Sequence, residues 1–421
     1  MSPPRPSVQV VGRRLEPEHY RLRDFLTRAA QPHDFYEADS PQAEAVLAKA
    51  GARGAELPVV VDGDSVYAGT SPERLAEAWN VYARPSRSHY DLMIVGAGPA
   101  GLAAAVYGAS DGLSTAVAEE DLPGGQAGYT SMIENFFGFV EGIGGAELAR
   151  LAGRQAERFG AELLILNGIV GSRFVPGEPT LGKLSSGDEV TADIVLVACG
   201  MVWRRLELDG VSELLGHGVY YGAGRSEAVQ CAGEDVMVVG AGNSAGQAVM
   251  NLASAGARVQ MVVRGESLSK SMSAYLVKRI EEHPSIEVRL RTRVTELHEA
   301  AGRLREVSVE NSDGESERLT VTSLFLCIGG VPRTQWAKGD NVRTDDAGFI
   351  LTGPDLLENG RRPEGWPLDR DPLALETSVP GLFAAGDVRH GSTKRVAGAV
   401  GEGAMAVTLA YRRLEELRQA R

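Results

Sequence analysis

The run Asp91-Leu-Met-Ile-Val-Gly96-Ala-Gly98-Pro-Ala-Gly101-Leu-Ala-Ala-Ala105 constrains this chain more than any other stretch. Leu92 to Val95 reads as a buried parallel strand, and the small residues after Gly101 read as a closely packed helix. Such a turn uses one glycine to reverse sharply, a second to let backbone approach a pyrophosphate, and a third to pack helix on strand. The helix N-terminus then offers unpaired N–H groups and positive dipole to phosphates. A second apolar strand, Leu113 to Ala118, ends at Glu119, where a carboxylate accepts ribose hydroxyls. A dinucleotide site built from Gly96, Gly98, Pro99, Ala100, Gly101 and Glu119 is predicted. The pattern recurs at Val236-Met-Val-Val-Gly240-Ala-Gly242-Asn243-Ser244-Ala245-Gly246, and the strand that follows, Arg258 to Val263, ends at Arg264.

At 421 residues the chain has room for two or three domains. A formal net charge of -13 argues against nucleic acid or an anionic membrane as a partner. No apolar run reaches the ~18–20 residues that span a bilayer, and the start lacks a signal-peptide core, so a soluble cytoplasmic protein is expected. The three cysteines, Cys199, Cys231 and Cys327, form no CxxC and no zinc spacing, and no metal site is expected. Each reads as a small buried hydrophobe.

Residues 7 to about 82 carry a βαβα-ββα pattern. Val8–Val11 is the first strand, Pro17–Ala29 a helix, Asp34–Tyr36 a strand and Pro41–Ala50 a helix. Leu57–Val61 and Ser65–Tyr67 form a hairpin around Asp62-Gly63. Ser71 then caps a last helix that has Pro72 in its first turn. This order resembles a glutaredoxin or thioredoxin fold, with Leu57-Pro58 at the family's cis-proline. Arg13 to His19 stands where that family carries its CxxC, which implies a docking or dimer-supporting module without thiol chemistry.

From about Tyr90 onward the motifs accumulate: GAGPAG, then Gly124-Gly125-Gln126 with Ile133-Glu-Asn135-Phe-Phe-Gly-Phe139, Ala198-Cys-Gly200, GAGNSAG, and Phe383-Ala-Ala-Gly386-Asp387. On these the chain resembles the low-molecular-weight thioredoxin reductase family of flavoproteins. The resemblance implies an α/β fold with two Rossmann-like dinucleotide-binding domains. Residues 1–88 would be the thioredoxin-like domain and linker, 89–203 and 329–421 a discontinuous FAD domain, and 204–328 an inserted NAD(P)H domain. Gly200 and Gly329-Gly330 would be the hinges. Gly96 to Gly101 and Glu119 would hold the adenosine half of FAD. Gly125, Gln126, Asn135 and Gly200 would line the flavin, with Gly386 and Asp387 at the ribityl or pyrophosphate end. Arg395 and Val396 would open a helix whose positive end faces the flavin pyrimidine. Gly240, Gly242, Asn243, Ser244, Ala245, Arg264 and Lys270 would hold the nicotinamide cofactor. Arg264 favours NADPH; Glu266, just beyond it, keeps NADH as the alternative. A homodimer is implied as well.

Two departures from the family stand out. Where it carries a redox CxxC, this chain reads Tyr220-Tyr-Gly-Ala-Gly-Arg-Ser-Glu-Ala-Val-Gln-Cys231. Without two thiols there is no internal dithiol relay, so the expected activity is NAD(P)H oxidation through FAD onto another acceptor. The acceptor is left open, a small redox protein among the candidates. The alternatives are a thioredoxin-disulfide reductase using partner cysteines, a ferredoxin–NADP reductase-like enzyme, and a redox-sensing flavoprotein with little turnover. No secure acid or base presents itself; Tyr221, as a cover for the flavin, and His390, beside Gly386-Asp387, are the nearest candidates. The second departure is the Pro/Gly-rich insert 351–372, read as either a lid or partner surface or a surface elaboration.

Overall fold

The computed structural model describes residues 7–420 apart from 14–15, 30, 80–82, 131, 176–177, 223–227, 229 and 339–340. The chain divides into two units, one of Met1–Leu75, Tyr129–Met132 and Trp203–Gly330, the other of Ala76–Gly128, Ile133–Val202 and Val331–Arg421. Among the described residues no helix is long and apolar enough to cross a membrane, and no cluster of His, Cys, Asp and Glu is arranged to hold a metal.

In the second unit the strand His89–Val95 lies centrally, parallel to Thr115–Ala118 on one side and to Glu189–Val197 on the other. The last of these also pairs in parallel with Leu382–Ala384, so a strand from near the C-terminus joins a sheet begun three hundred residues earlier, with Val195 opposite Leu382. Strands that are buried on both faces need apolar runs rather than alternation, and Leu92, Ile94, Val117, Ile194, Leu196 and Phe383 are all essentially inaccessible. The helices Pro99–Ser110, Gly145–Phe159 and Val396–Ala420 share one core with this sheet. Helix Val396–Ala420 crosses Pro99–Ser110 so closely that a Cβ on Gly403 would stand 2.0 Å from the Ala100 carbonyl oxygen. Glycine is required there.

In the first unit five parallel strands run in the order Val219–Tyr221, Ser323–Leu326, Asp235–Val239, Arg258–Val262, Ile286–Arg289. An antiparallel sheet of Thr292–Ala300, Arg303–Asn311 and Ser316–Thr320 adjoins them in sequence. The N-terminal module belongs to the same unit. Its sheet runs His33–Glu37, Val8–Gly12, Val59–Asp62, Ser65–Ala68, with the first pair parallel and the others antiparallel. Leu57-Pro58 is cis, and Ser40, not foreseen as a cap, accepts the Ala43 N–H at the start of helix Pro41–Lys49.

The insert 351–372 is fastened down within its own unit. Arg370 reaches Glu376, itself fully buried, at 2.6 Å and Glu416 at 2.5 Å, while the Trp366 indole N–H donates to the Arg370 carbonyl at 2.6 Å. A segment whose arginine is bidentate to a buried glutamate is tied down as a strap rather than a loose lid.

Candidate cofactor sites

The first dinucleotide turn divides its glycines by task. Gly96 sits at φ 103°, and a Cβ there would lie 2.7 Å from the Ala198 carbonyl oxygen. A Cβ on Gly101 would stand 1.9 Å from the Gly96 oxygen. Gly98, by contrast, faces open space and has an ordinary negative φ as the cap of helix Pro99–Ser110, with Pro99 in the first turn. The first and third glycines are therefore demanded by the fold, and the middle one leaves a cradle that a Cβ would fill. Glu119 accepts the Ala97 N–H at 2.6 Å and the Asp121 N–H at 2.9 Å, which braces the turn and fixes its carboxylate at the end of the neighbouring strand.

A second turn closes over the first. The Gly124 N–H donates to the Ala97 carbonyl at 2.8 Å, and a Cβ on Gly125, which sits at φ 51°, would crowd the Gly98 Cα at 3.3 Å. Gln126 follows on the short helix Gly125–Gly128. Its Nε2 donates to the Met201 carbonyl at 3.2 Å, and its buried Oε1 has no hydrogen-bond partner among the described residues. An orphaned buried amide oxygen is costly and is expected to meet a donor when the site is filled. Asn135 is exposed, on a loop that also presents Phe137 and Val140 to solvent. Gly200 turns the chain out of the sheet at φ 60°.

The Gly386-Asp387 corner contains a residue that sequence reasoning missed. Glu402, the one acid in the glycine-, alanine- and valine-rich first half of helix Val396–Ala420, accepts the Gly386 N–H at 2.7 Å and pairs with Arg389 at 2.7 Å. Arg389 in turn donates to the His390 carbonyl at 2.8 Å. The pair is largely buried, so it holds the corner in one geometry. Burial pushes the Asp387 carboxyl above the usual carboxylate range, with the nearby Lys394 charge pulling the other way. Lys394 donates to the Asp387 carbonyl at 2.6 Å. The His390 imidazole is held 2.7 Å from Asp345; burial opposes ionisation of Asp345, but bonds from His390 and from the Phe349 and Ala347 N–H groups keep its carboxyl low. His390 is thus an oriented side chain. Arg395 and Val396 open the C-terminal helix, whose Ala399 N–H donates to the Arg395 carbonyl at 2.9 Å.

In the other unit the second dinucleotide turn repeats the division of labour. A Cβ on Gly240 would stand 2.3 Å from the Cys327 carbonyl oxygen, and one on Gly246 would stand 2.8 Å from the Met272 sulfur. Gly242 faces open space. Asn243, Ser244 and Ala245 form the first turn of helix Asn243–Ser254, and Ala245 is fully buried. The Asn243 carboxamide accepts the Ser273 N–H at 2.8 Å, so its side chain ties a crossing loop to the turn. Arg264 and Lys270 are exposed beyond the end of strand Arg258–Val262, and Glu266 pairs with Arg291 at 3.0 Å.

The three thiols are far apart in sequence, and none is paired with another. Burial pushes Cys199 and Cys327 each up to about 12. Cys231 is 5% exposed in a cleft that also contains Tyr220, Arg303 and Ser323, with its thiol 3.9 Å from the Ser323 hydroxyl, and none of the three cysteines is in a disulfide. Of the segment that replaces the CxxC, 223–227 and 229 lie outside the described residues, Arg225 among them. Tyr220 stacks on Phe325 at 5.3 Å and meets Tyr20 of the N-terminal module at 5.5 Å. The Tyr221 hydroxyl accepts the Leu206 N–H at 3.1 Å.

Residues 90–403 match the family described as pyridine nucleotide-disulphide oxidoreductase. The thioredoxin reductase of Bacillus subtilis (strain 168) is 31% identical over 331 residues, 78% of this chain and 96% of that protein. That of Schizosaccharomyces pombe is 32% identical over 346 residues, covering 78% and 98%. Among solved structures, the thioredoxin reductase of Lactococcus lactis superposes with a TM-score of 0.69 at 27% identity over 78% of this chain and 99% of its own. The T. acidophilum enzyme does so with a TM-score of 0.68 at 26% identity, covering 77% and 99%.

Proposed function

The chain belongs to the pyridine nucleotide-disulphide oxidoreductase family as an FAD-dependent oxidoreductase of thioredoxin-reductase type, and we propose that it passes electrons from NADPH to an acceptor other than a dithiol of its own. The observation that carries this reading is the cysteine inventory: three cysteines, none vicinal to another and none in a disulfide, two of them pushed up to about 12 by burial. A thiol held protonated is a poor nucleophile, and a lone one cannot form the internal disulfide that a relay needs.

FAD and NADPH supply the hydride and electron chemistry when bound, and the protein positions and insulates them. Gly96, Gly98 and Gly101 open the pyrophosphate cradle, and the braced Glu119 carboxylate presents acceptors to the adenosine ribose. Gln126 offers a buried acceptor oxygen to the flavin, and Asp387, clamped through Glu402 and Arg389, offers another at the ribityl end. Gly240, Gly242 and Arg264 serve the nicotinamide cofactor. His390, oriented by Asp345, is the side chain best placed near the Gly-Asp motif to hold a proton.

The domains are proposed to fall at 1–88, 89–203 with 329–421, and 204–328, with the first as a thioredoxin-like docking module that lacks CxxC. A small redox protein is the acceptor this arrangement favours, and the protein is proposed to work as a homodimer in the cytoplasm. The test is an acceptor screen with NADPH against ferricyanide, dioxygen, ferredoxin and thioredoxin. Rapid ferricyanide reduction with thioredoxin inert, or active only when its own cysteines are intact and in excess, is expected. Turnover of a small disulfide substrate such as dithio-bis-nitrobenzoate at rates matching ferricyanide would overturn the reading.

A further inference from the structure

The side chains that meet the 2′ position of the adenosine ribose decide between NADPH and NADH, and the inference that follows rests on the nicotinamide reading of the second dinucleotide unit. In an open parallel sheet this position lies at the carboxyl ends of the strands. The Gly240 N–H donates to the Val262 carbonyl at 3.1 Å, so the turn and the end of strand Arg258–Val262 form one corner. The edge strand Ile286–Arg289 continues past that corner and runs along it. Val263 N–H donates to the Arg289 carbonyl at 2.9 Å, Arg291 N–H to the Gly265 carbonyl at 3.0 Å, and Thr292 N–H to the Val263 carbonyl at 3.0 Å.

Arg291 is thereby fixed at φ 53°, a left-handed conformation that a residue other than glycine keeps only when its surroundings determine it. Its guanidinium lies 3.0 Å from Glu266, with both side chains well exposed. The nearby Arg289 is engaged elsewhere: it donates to Gln260 and Glu317, each at 2.6 Å, and lies 3.0 Å from Glu287. Arg264 and Lys270 have no ion pair among the described residues. The corner therefore holds Arg264 as an uncommitted cation and Arg291 as a cation already answered by one carboxylate.

We infer that Arg291 reads the 2′-phosphate together with Arg264, and that Glu266 competes with the phosphate for it. An exposed ion pair is weak and salt-screened, whereas a planar guanidinium on a phosphate dianion makes bidentate, charge-assisted bonds. NADPH thus exchanges Glu266 for phosphate on Arg291. With NADH the pair stays intact, and the remaining Glu266 acceptor capacity faces a ribose hydroxyl. The sequence reads as mixed, arginine followed by glutamate, because its second cation arrives from a different strand.

The experiment uses the holoenzyme, with calorimetric titration of 2′,5′-ADP and 5′-ADP and steady-state rates with NADPH and NADH against ferricyanide. Arg291→Ala is expected to weaken 2′,5′-ADP and raise the NADPH KM about tenfold, leaving 5′-ADP and NADH within about twofold. Arg291→Lys should recover part of that loss. Glu266→Gln should act in the opposite direction, tightening 2′,5′-ADP severalfold and weakening NADH, which a merely structural pair would not do. An Arg291→Ala variant unchanged for 2′,5′-ADP, or weakened equally for both ADP probes, overturns the inference while wild-type reduction by NADPH leaves the nicotinamide reading standing. Failure of both NADPH and NADH to reduce the bound flavin in the wild type overturns that reading and the inference with it.

Discussion

Asp387 shows how a single residue is placed against its own folding preference. Burial raises its carboxyl pKa, so the folded protein holds that proton more tightly than the unfolded chain does. Its contribution to stability is then fully present below the ordinary carboxylate range and is lost as pH rises through the raised value. At neutral pH the ionised side chain destabilises the cofactor-free protein. Asp387→Asn is accordingly expected to raise the melting temperature of the apoprotein at pH 7, with the gain shrinking as pH falls toward 4. The same change should weaken FAD by about tenfold or more, since one charge-assisted hydrogen bond contributes roughly 1.5–3 kcal/mol. Thermal scans across pH and flavin titration read the two effects separately. A variant less stable than wild type at pH 7 would mean that Asp387 serves the fold rather than the cofactor. Glu402 bears on the same corner, since its carboxylate lies on the clamp that holds Gly386.

At the scale of elements, the strand–turn–helix units were legible because each of their requirements falls on a residue type. The first and third glycines of GAGPAG are demanded because a Cβ on either would stand only 2.7 or 1.9 Å from a backbone carbonyl oxygen, and the second is not demanded by the protein at all. Gly101→Ala is therefore expected to prevent the helix from seating, with loss of soluble protein. Gly98→Ala should fold with a near-native melting temperature and yet bind FAD at least tenfold more weakly, because its methyl fills only the cradle. Equal stability losses in the two variants would remove the distinction. The C-terminal Phe383-Ala-Ala-Gly-Asp motif was equally legible, and the strand Leu382–Ala384 completes the sheet begun at His89. What stayed hidden were pairings between distant segments. Nothing in the sequence linked Glu402 to Gly386 and Arg389, and Arg291 lay beyond the edge strand rather than on the diagnostic one. Asn243 was read as a cofactor residue, and its side chain also serves to hold Ser273. The insert 351–372 gave no sign in its composition that Arg370 would reach both Glu376 and Glu416.

For the whole molecule, the N-terminal module raises a question that no motif addresses: what a thiol-free module adds to a flavoprotein that matches its relatives without it, since the family match begins at residue 90. Its first helix supplies part of the answer. Tyr20 meets Tyr220 at 5.5 Å, Tyr220 stacks on Phe325 at 5.3 Å, and Arg23 lies over the Phe35 ring at 4.6 Å. An aromatic ladder thus runs from the module into the strands Val219–Tyr221 and Ser323–Leu326, which border the segment that replaces the CxxC. Aromatic pairs of this geometry contribute about 0.5–1.5 kcal/mol beyond the area they bury, and local opening is governed by such contacts. Tyr20→Ala should therefore cost about 1–2 kcal/mol in chemical denaturation and speed hydrogen exchange at the amides of Val219–Tyr221, while the flavin spectrum stays unchanged. Tyr20→Phe, which keeps the ring, should behave as wild type. Exchange in that strand is the decisive readout, because it reports on the ladder whether or not the acceptor is known. If it stays at the wild-type rate in Tyr20→Ala, the module does not steady this face, and its purpose must lie on the surfaces it presents to a partner.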